Sequence, residues 1–249
     1  MNRFKIIIPA YNVEKFCEKN LLSALDQDYS NYCITYINDH SDDNTMAKVR
    51  QVIKSHPKGK LVKVVDNQER KGALLNFFNE IHETPDEEII VTLDGDDMLS
   101  TNQVLNILNR NYTKDIWLTW GSYEDVKSFN DLTHGTRGCS KPIPHNILES
   151  NVYRYHPWST SHLRTFKAWL FKKIDKNDLV DKNGNFYNSA WDLSFMIPMI
   201  EMAGHRCKYI HDILYFYNHA NPIQDYKVRL AEQQSFEREI RAKKRYTKI

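Results

Sequence analysis

The sequence predicts a single α/β domain with a mostly parallel central sheet flanked by helices. Three observations lead there. Short β-branched runs alternate with helix-period segments through the first half of the chain. The spacing suits right-handed crossovers, which cover both faces of a parallel sheet. The 249 residues, 41% hydrophobic and 27% charged, have globular composition and a length that fits one large α/β domain.

The elements follow in order. Residues 4–8 form a first strand, closed by Pro9. Residues 13–27 read as a helix, with Phe16, Leu21, Leu22 and Leu25 near helical spacing. Residues 33–37 are a second strand, ending in the polar loop 38–43, which can cap a helix at 45–53. Strand 61–65, helix 72–81 and strand 89–93 continue the alternation, followed by helix 103–110 and strand 116–120. The second half is less regular. Residues 121–161 read as a loop region rich in turn formers. Residues 166–174 look helical, and 190–203 form an almost wholly apolar, buried helix in which Pro198 predicts a kink or short break. Residues 207–210 and 213–217 are strand-like, and 226–246 a charged terminal helix.

Composition excludes several classes. Lysine plus arginine total 34 and aspartate plus glutamate 32, so a net charge of +2 argues against bulk binding of nucleic acid. The four cysteines, Cys17, Cys33, Cys139 and Cys207, form no CxxC pair, which argues for reduced thiols in a cytoplasmic protein and against a zinc ribbon. No apolar run approaches the roughly 18 residues of a membrane span, and the first is too short for a signal peptide.

In parallel sheets ligands bind beyond the carboxyl ends of the strands. Three polar clusters fall there: residues 9–12, 38–43 and 94–97. The last holds Asp94, Asp96 and Asp97. Two carboxylates 4 Å apart repel by about 4 kcal/mol at an effective dielectric of 20. Such a group shares a proton, spreads into solvent or binds a cation, and a carboxylate-held divalent cation commonly completes its shell with substrate phosphates. A solvated Asp-Gly turn is the competing reading. There is no GxxxxGK[ST] loop and no GxGxxG after the first strand, and only 8 glycines occur, so a diphosphate here calls for a metal rather than a backbone nest.

These clusters together resemble glycosyltransferase family 2, the inverting nucleotide-sugar transferases with the GT-A fold. Residues 6–12 (IIIPAYN) resemble the family's opening strand. Residues 38–45 (NDHSDDNT) resemble its Asp-Asp-Gly-Ser-x-Asp-x-Thr loop, with Asn38 for the first Asp and His40 for Gly. Residues 67–76 resemble the segment before the third helix, and Leu93-Asp94-Gly95-Asp96-Asp97 matches the DxD signature.

The resemblance implies a metal-dependent, inverting transfer from a nucleotide sugar, a UDP-sugar favoured, to a hydroxyl of a glycan, lipid-linked or protein acceptor. Residues 1–120 would form the nucleotide-binding half, 121–226 the acceptor half and 227–249 a basic C-terminal helix. Pro9, Tyr11 and Asp39 would hold the donor with Asp94, Gly95 and Asp96, the aspartate Asp39 accepting from a pyrimidine N–H. Mn²⁺ or Mg²⁺ would be the cofactor, with Asp96 and Asp97 as alternative ligands. His219 resembles a position where some GT-A enzymes add a metal-binding histidine; a structural histidine competes. Asp192, opening the apolar helix, resembles the family's catalytic base, against the competing reading of a carboxylate favoured by the helix dipole. Arg164 could pair with the diphosphate or an acidic acceptor, or form an ordinary salt bridge. Lys71 could reach a phosphate or the base, or lie solvated.

The basic tail (Arg238, Arg241, Lys243, Lys244, Arg245, Lys248) either complements its own helix dipole or offers peripheral contact to an anionic membrane or acidic partner. Two other functions stand beside transfer. One is a non-catalytic sugar-nucleotide or glycan-binding module, which would show no slow donor hydrolysis. The other is a sugar nucleotidyltransferase, against which residues 9–12 lack a glycine-rich basic loop.

Overall fold

The computed structural model describes residues 1–126, 135–221 and 229–249. Strands β1 (Phe4–Ala10), β2 (Tyr32–Asn38), β3 (Val62–Asp66) and β4 (Ile89–Thr92) pair in parallel in the order β3-β2-β1-β4. Helices α1 (Cys17–Leu25), α2 (Thr45–Ser55) and α3 (Ala73–His82) connect them, and the short β5 (Met98–Leu99) and α4 (Val104–Asn111) follow. The sheet continues through β7 (Arg164–Lys167), β6 (Leu118–Val126) and β8 (Cys207–Asn218) to β5, giving eight strands among the described residues.

Strand periodicity divides the core in two. Ile6 and Ile8 of β1 join the cluster under α1, α2 and α4, which includes Leu21, Val49 and Leu105. Ile7 between them joins the opposite cluster. That cluster packs beneath α3, α6 (Ala168–Lys172), α7 (Trp191–Ala203) and α8 (Leu230–Ala242), with Phe77, Phe171, Phe195 and Ile240. Both faces are covered, as expected of a parallel sheet.

The second half departs from expectation at definite points. The segment expected as helix 166–174 starts as β7, which lies antiparallel between β4 and β6, with Phe166 opposite both Ile90 and Leu118. Helix begins only at Ala168, because Phe166, Leu170 and Phe171 satisfy either period and the open sheet edge takes the first of them. Residues 207–217 form one strand rather than two, with an irregular register against β6 around Ser122. Helix α7 runs through Pro198 without a break. All its residues from Leu193 to Ala203 are buried, so packing overrides the proline's local preference. A short helix, α5 (His145–Glu149), sits in the expected loop region, of which residues 127–134 lie outside the described residues. The expected start of the terminal helix at 226 also lies outside them.

Helix α8 ends at Ala242, and the tail folds back as a strap. Lys243 Nζ donates to the carbonyls of Asn177 (2.6 Å) and Val180 (2.7 Å), and Lys248 Nζ to that of Glu149 (2.6 Å). Arg241 reaches the carbonyls of Arg154 (2.6 Å) and His156 (3.0 Å). Of the basic tail residues, Arg241 and Lys243 are partly buried, while Arg238, Lys244, Arg245 and Lys248 are exposed. Beneath the strap, Arg154 and Glu201 form a two-pronged ion pair at 2.7 Å, with side chains 2% and 0% exposed. Arg154 also donates to the Ile240 carbonyl, and Glu201 accepts from the Tyr246 amide. Among the described residues no helix is long and apolar enough to cross a membrane.

Candidate active site

The carboxyl ends of β1, β2 and β4 form one rim, as the alternation requires. Because β7 runs antiparallel, its first residue, Arg164, reaches the same rim, and β8 ends there at Asn218. Above it lies a cleft with two adjoining lobes of about 280 Å³ and about 340 Å³. Pro9, Tyr11, Arg70 and Trp191 line both.

The smaller lobe holds the acidic loop. Its backbone is fixed from α1, where buried Asn20 donates to the carbonyls of Asp94 and Asp97, each at 2.8 Å. Gly95 lies against the end of β1: a Cβ there would stand 2.7 Å from Ala10 Cβ and 2.9 Å from the Pro9 carbonyl oxygen. The glycine is needed for this close approach. Gly95→Ala is therefore expected to lower unfolding stability by about 1–3 kcal/mol, read by denaturant titration, because β1 cannot retreat.

The three aspartates differ. Asp97 is 1% exposed and accepts from Tyr215 Oη (2.6 Å) and the Asn218 amide (2.8 Å). Burial, and then the charges of Asp96 and Asp94, push its carboxyl well above the usual range. Burial acts the same way on Asp94, but the hydrogen bond from His162 and the Arg164 charge outweigh it and hold Asp94 below the usual range. His162 Nε2 lies 3.2 Å from Asp94 Oδ2, and burial followed by the Arg164 charge lowers the imidazole's affinity for a proton. Asp96 lines the lobe and accepts from Asn221 Nδ2 at 2.7 Å.

One ligand atom from each of Asp94, Asp97 and His162 lies within 4.8 Å of the others. Carboxylate oxygens suit Mn²⁺ or Mg²⁺ and an imidazole can join them, and a divalent cation would offset the burial and mutual repulsion that push Asp97 up. The donor set thus fits such an ion. His219 is not brought to it: its Nε2 lies 2.8 Å from Asp125 Oδ1, and neither residue lines the cleft.

The larger lobe is built around Asp39, 3% exposed at the end of β2. Its Oδ1 accepts from Asn67 Nδ2 (3.0 Å) and the Lys71 amide (2.8 Å), and its Oδ2 from the Gly72 amide (2.8 Å). A carboxylate offers about four acceptor sites, so Oδ2 retains one. Lys71 thus serves Asp39 through its backbone, and its side chain is exposed. Wrapping this loop around Asp39 brings Arg70 over Tyr11, with Cζ 3.8 Å from the ring centroid. Arg70 was not singled out from sequence; nothing in its spacing marks it. His40 has φ 63°, a left-handed backbone, at a cost of roughly 1–2 kcal/mol.

Asp192 faces the acidic loop from α7. The helix opens on Ala190 with φ 51° and no side-chain cap. Trp191 stacks on Phe77 at 5.3 Å between centroids. Asp192 Oδ1 accepts from the Leu193 amide (3.1 Å), and Oδ2 from Arg164 Nη1 (2.9 Å). Arg164 is 1% exposed, and its Nη2 lies 3.6 Å from Asp94 Oδ2. It thus hydrogen-bonds one site carboxylate and stands beside another, at the border of the acidic lobe.

Comparison with known proteins agrees with this geometry. Residues 5–179 match the family described as Glycosyl transferase family 2. An uncharacterized glycosyltransferase of Haemophilus influenzae is 28% identical over 123 residues, which is 49% of this chain and 48% of that protein. The chain thus spans about half the length of the curated relatives it matches. The mannosyltransferase PcManGT of Pyrobaculum calidifontis, solved with GDP-Man and Mn²⁺, superposes with a TM-score of 0.64 at 22% identity, over 98% of this chain and 66% of that one. S. aureus TarS 1–349, solved with UDP-GlcNAc, gives 0.63 at 16% identity, over 88% and 59%. The architecture is that of GT-A glycosyltransferases, and the chain belongs to glycosyl transferase family 2.

Proposed function

We propose that the protein transfers a sugar from a nucleotide sugar to an acceptor hydroxyl with inversion, UDP being the favoured carrier. One observation carries this reading: Asp192 and the Asp94–Asp97 loop line the same cleft from different elements, α7 and the end of β4. In-line displacement needs a base on one side of the sugar and the departing diphosphate on the other.

Asp192 would take the acceptor's proton as its oxygen attacks the anomeric carbon and the bond to the diphosphate breaks. Asp39 supports the nucleotide assignment, because the remaining site on Oδ2 suits the N–H of uracil or guanine, and Tyr11 offers a ring to the base. The solved relatives carry both kinds of donor, UDP-GlcNAc and GDP-Man. Asp96, with Asp94, Asp97 and His162, would hold Mn²⁺ or Mg²⁺. When bound, such an ion neutralises charge on the leaving diphosphate. The acceptor, a glycan or a lipid-linked or protein hydroxyl, would meet the part of the cleft lined by Asp192 and Gln233.

A thermal-shift screen of UDP- and GDP-sugars with and without Mn²⁺ tests this. A ligand at 100 times its Kd adds about 2.7 kcal/mol. A UDP-sugar should stabilise the protein more with Mn²⁺ than without, and Asp96→Asn should remove the metal-dependent part. No shift from any nucleotide sugar with Mn²⁺ would sink the proposal.

A further inference from the structure

We propose that Arg164 is a positioning residue that ties the base to the donor wall of the cleft, and not a diphosphate ligand. The inference rests on Asp192 being the base. Arg164 opens β7 beside Thr92, whose Oγ1 donates to the Arg164 carbonyl at 3.2 Å. That places its side chain beneath the loop that carries Asp94, two residues beyond Thr92. From there it reaches Asp192 Oδ2 at 2.9 Å with Nη1 and Asp94 Oδ2 at 3.6 Å with Nη2. Its guanidinium carbon lies 5.3 Å from the Trp191 ring centroid. Its Nη1 is held by Asp192 and its Nη2 faces Asp94; the side chain borders the acidic lobe but is 1% exposed, with Nε buried and without a hydrogen-bond partner among the described residues. Arg70 contrasts with it, being exposed and lining both lobes.

Asp192 has reason to need such a tie. The start of α7 does not hold itself: Ala190 has left-handed backbone and no side-chain cap closes the first turn. Among the described residues, the side-chain partner of Asp192 is Arg164, and its other acceptor contact is the amide of the next residue. A planar guanidinium fixes two carboxylates at a set separation, which a flexible ammonium does less well. The tie therefore sets the distance between the group that takes the proton and the loop that faces the leaving group.

The experiment compares Arg164→Met, Arg164→Lys, Asp192→Asn and the double variant Arg164→Met/Asp192→Asn. UDP binding with Mn²⁺ is followed by calorimetry, and UDP release from UDP-GlcNAc by a coupled assay. Arg164→Met should leave the UDP Kd within about threefold and slow turnover about 100-fold, the scale of a misplaced group. Arg164→Lys should recover about tenfold of that, and it carries the test if the Met variant does not fold. The double variant should be no slower than Asp192→Asn, because Arg164 acts through Asp192. A crystal structure of a folded Arg164 variant should show the Asp192 carboxylate displaced. A UDP affinity that falls tenfold or more, effects that multiply in the double variant, or an Asp192 carboxylate that stays in place would each overturn the proposal. Native turnover in Asp192→Asn alone would instead refute the base assignment, and the positioning role with it.

Discussion

Asp192→Asn should cut turnover by about 10²–10⁴-fold, the usual contribution of a general base, while leaving UDP affinity within about threefold. The asymmetry follows from the cleft. Asp192 is held from α7 by Arg164 and the Leu193 amide, and it lines the lobe of the acidic loop, whereas Asp39, proposed to hold the nucleotide base, lies in the adjoining lobe and Tyr11 lines both. The amide preserves the shape and the contact with Leu193 but cannot take a proton. Parallel measurement of UDP release and UDP binding checks this. A variant that loses both together would show Asp192 to be structural, and one that loses neither would remove it from the chemistry.

The acidic loop and the base loop were readable because local sequence carries them. Asp94, Gly95 and Asp96 follow a β-branched strand, and strand alternation alone sends them to the rim with Asp39. Helix α7 was equally plain, because its apolar run admits no exposed face. What escaped depended on partners far along the chain. Phe166 suits a strand or a helix until β4 and β6 are seen to leave a gap between them. That single misread element hid the position of Arg164, whose role depends on starting a strand at the rim. His162 carries no mark of its own in the sequence, and only the fold sets its ring 3.2 Å from Asp94. Arg70 has no signal of its own, because its place over Tyr11 comes from a loop closing on Asp39. Composition likewise cannot show that Lys243 and Lys248 reach backbone carbonyls, although Arg238, Lys244, Arg245 and Lys248 are exposed.

Glu201→Ala should be the most damaging change away from the cleft. Removing one partner of a buried ion pair leaves an uncompensated charge and costs about 3–5 kcal/mol. Here the loss is compounded, since Glu201 also accepts from the Tyr246 amide, and Arg154 holds the Ile240 carbonyl as well. At roughly 2–4 °C per kcal/mol for a domain of this size, the melting temperature should fall by about 10 °C. Calorimetry measures it. The double variant Arg154→Met/Glu201→Leu should recover most of the loss, because an apolar pair removes the stranded charge. If Glu201→Ala melts like the native protein, the strap is ornamental and α8 is held by its apolar face alone.

The antiparallel insertion of β7 has a consequence for how such a protein can diversify. Strand β6 runs up to Val126 past the rim, and β7 starts there at Arg164. The connection between them therefore leaves and re-enters the sheet on the side of the cleft. Its end next to β7 is tied down, since it carries Arg154 of the buried ion pair and His162 beside Asp94. The donor-side loops are held in the same way, because Asn20, Gly95 and Asp39 lock them to the strands. A change in that connection leaves the cleft intact only if it keeps Arg154 and His162 in place.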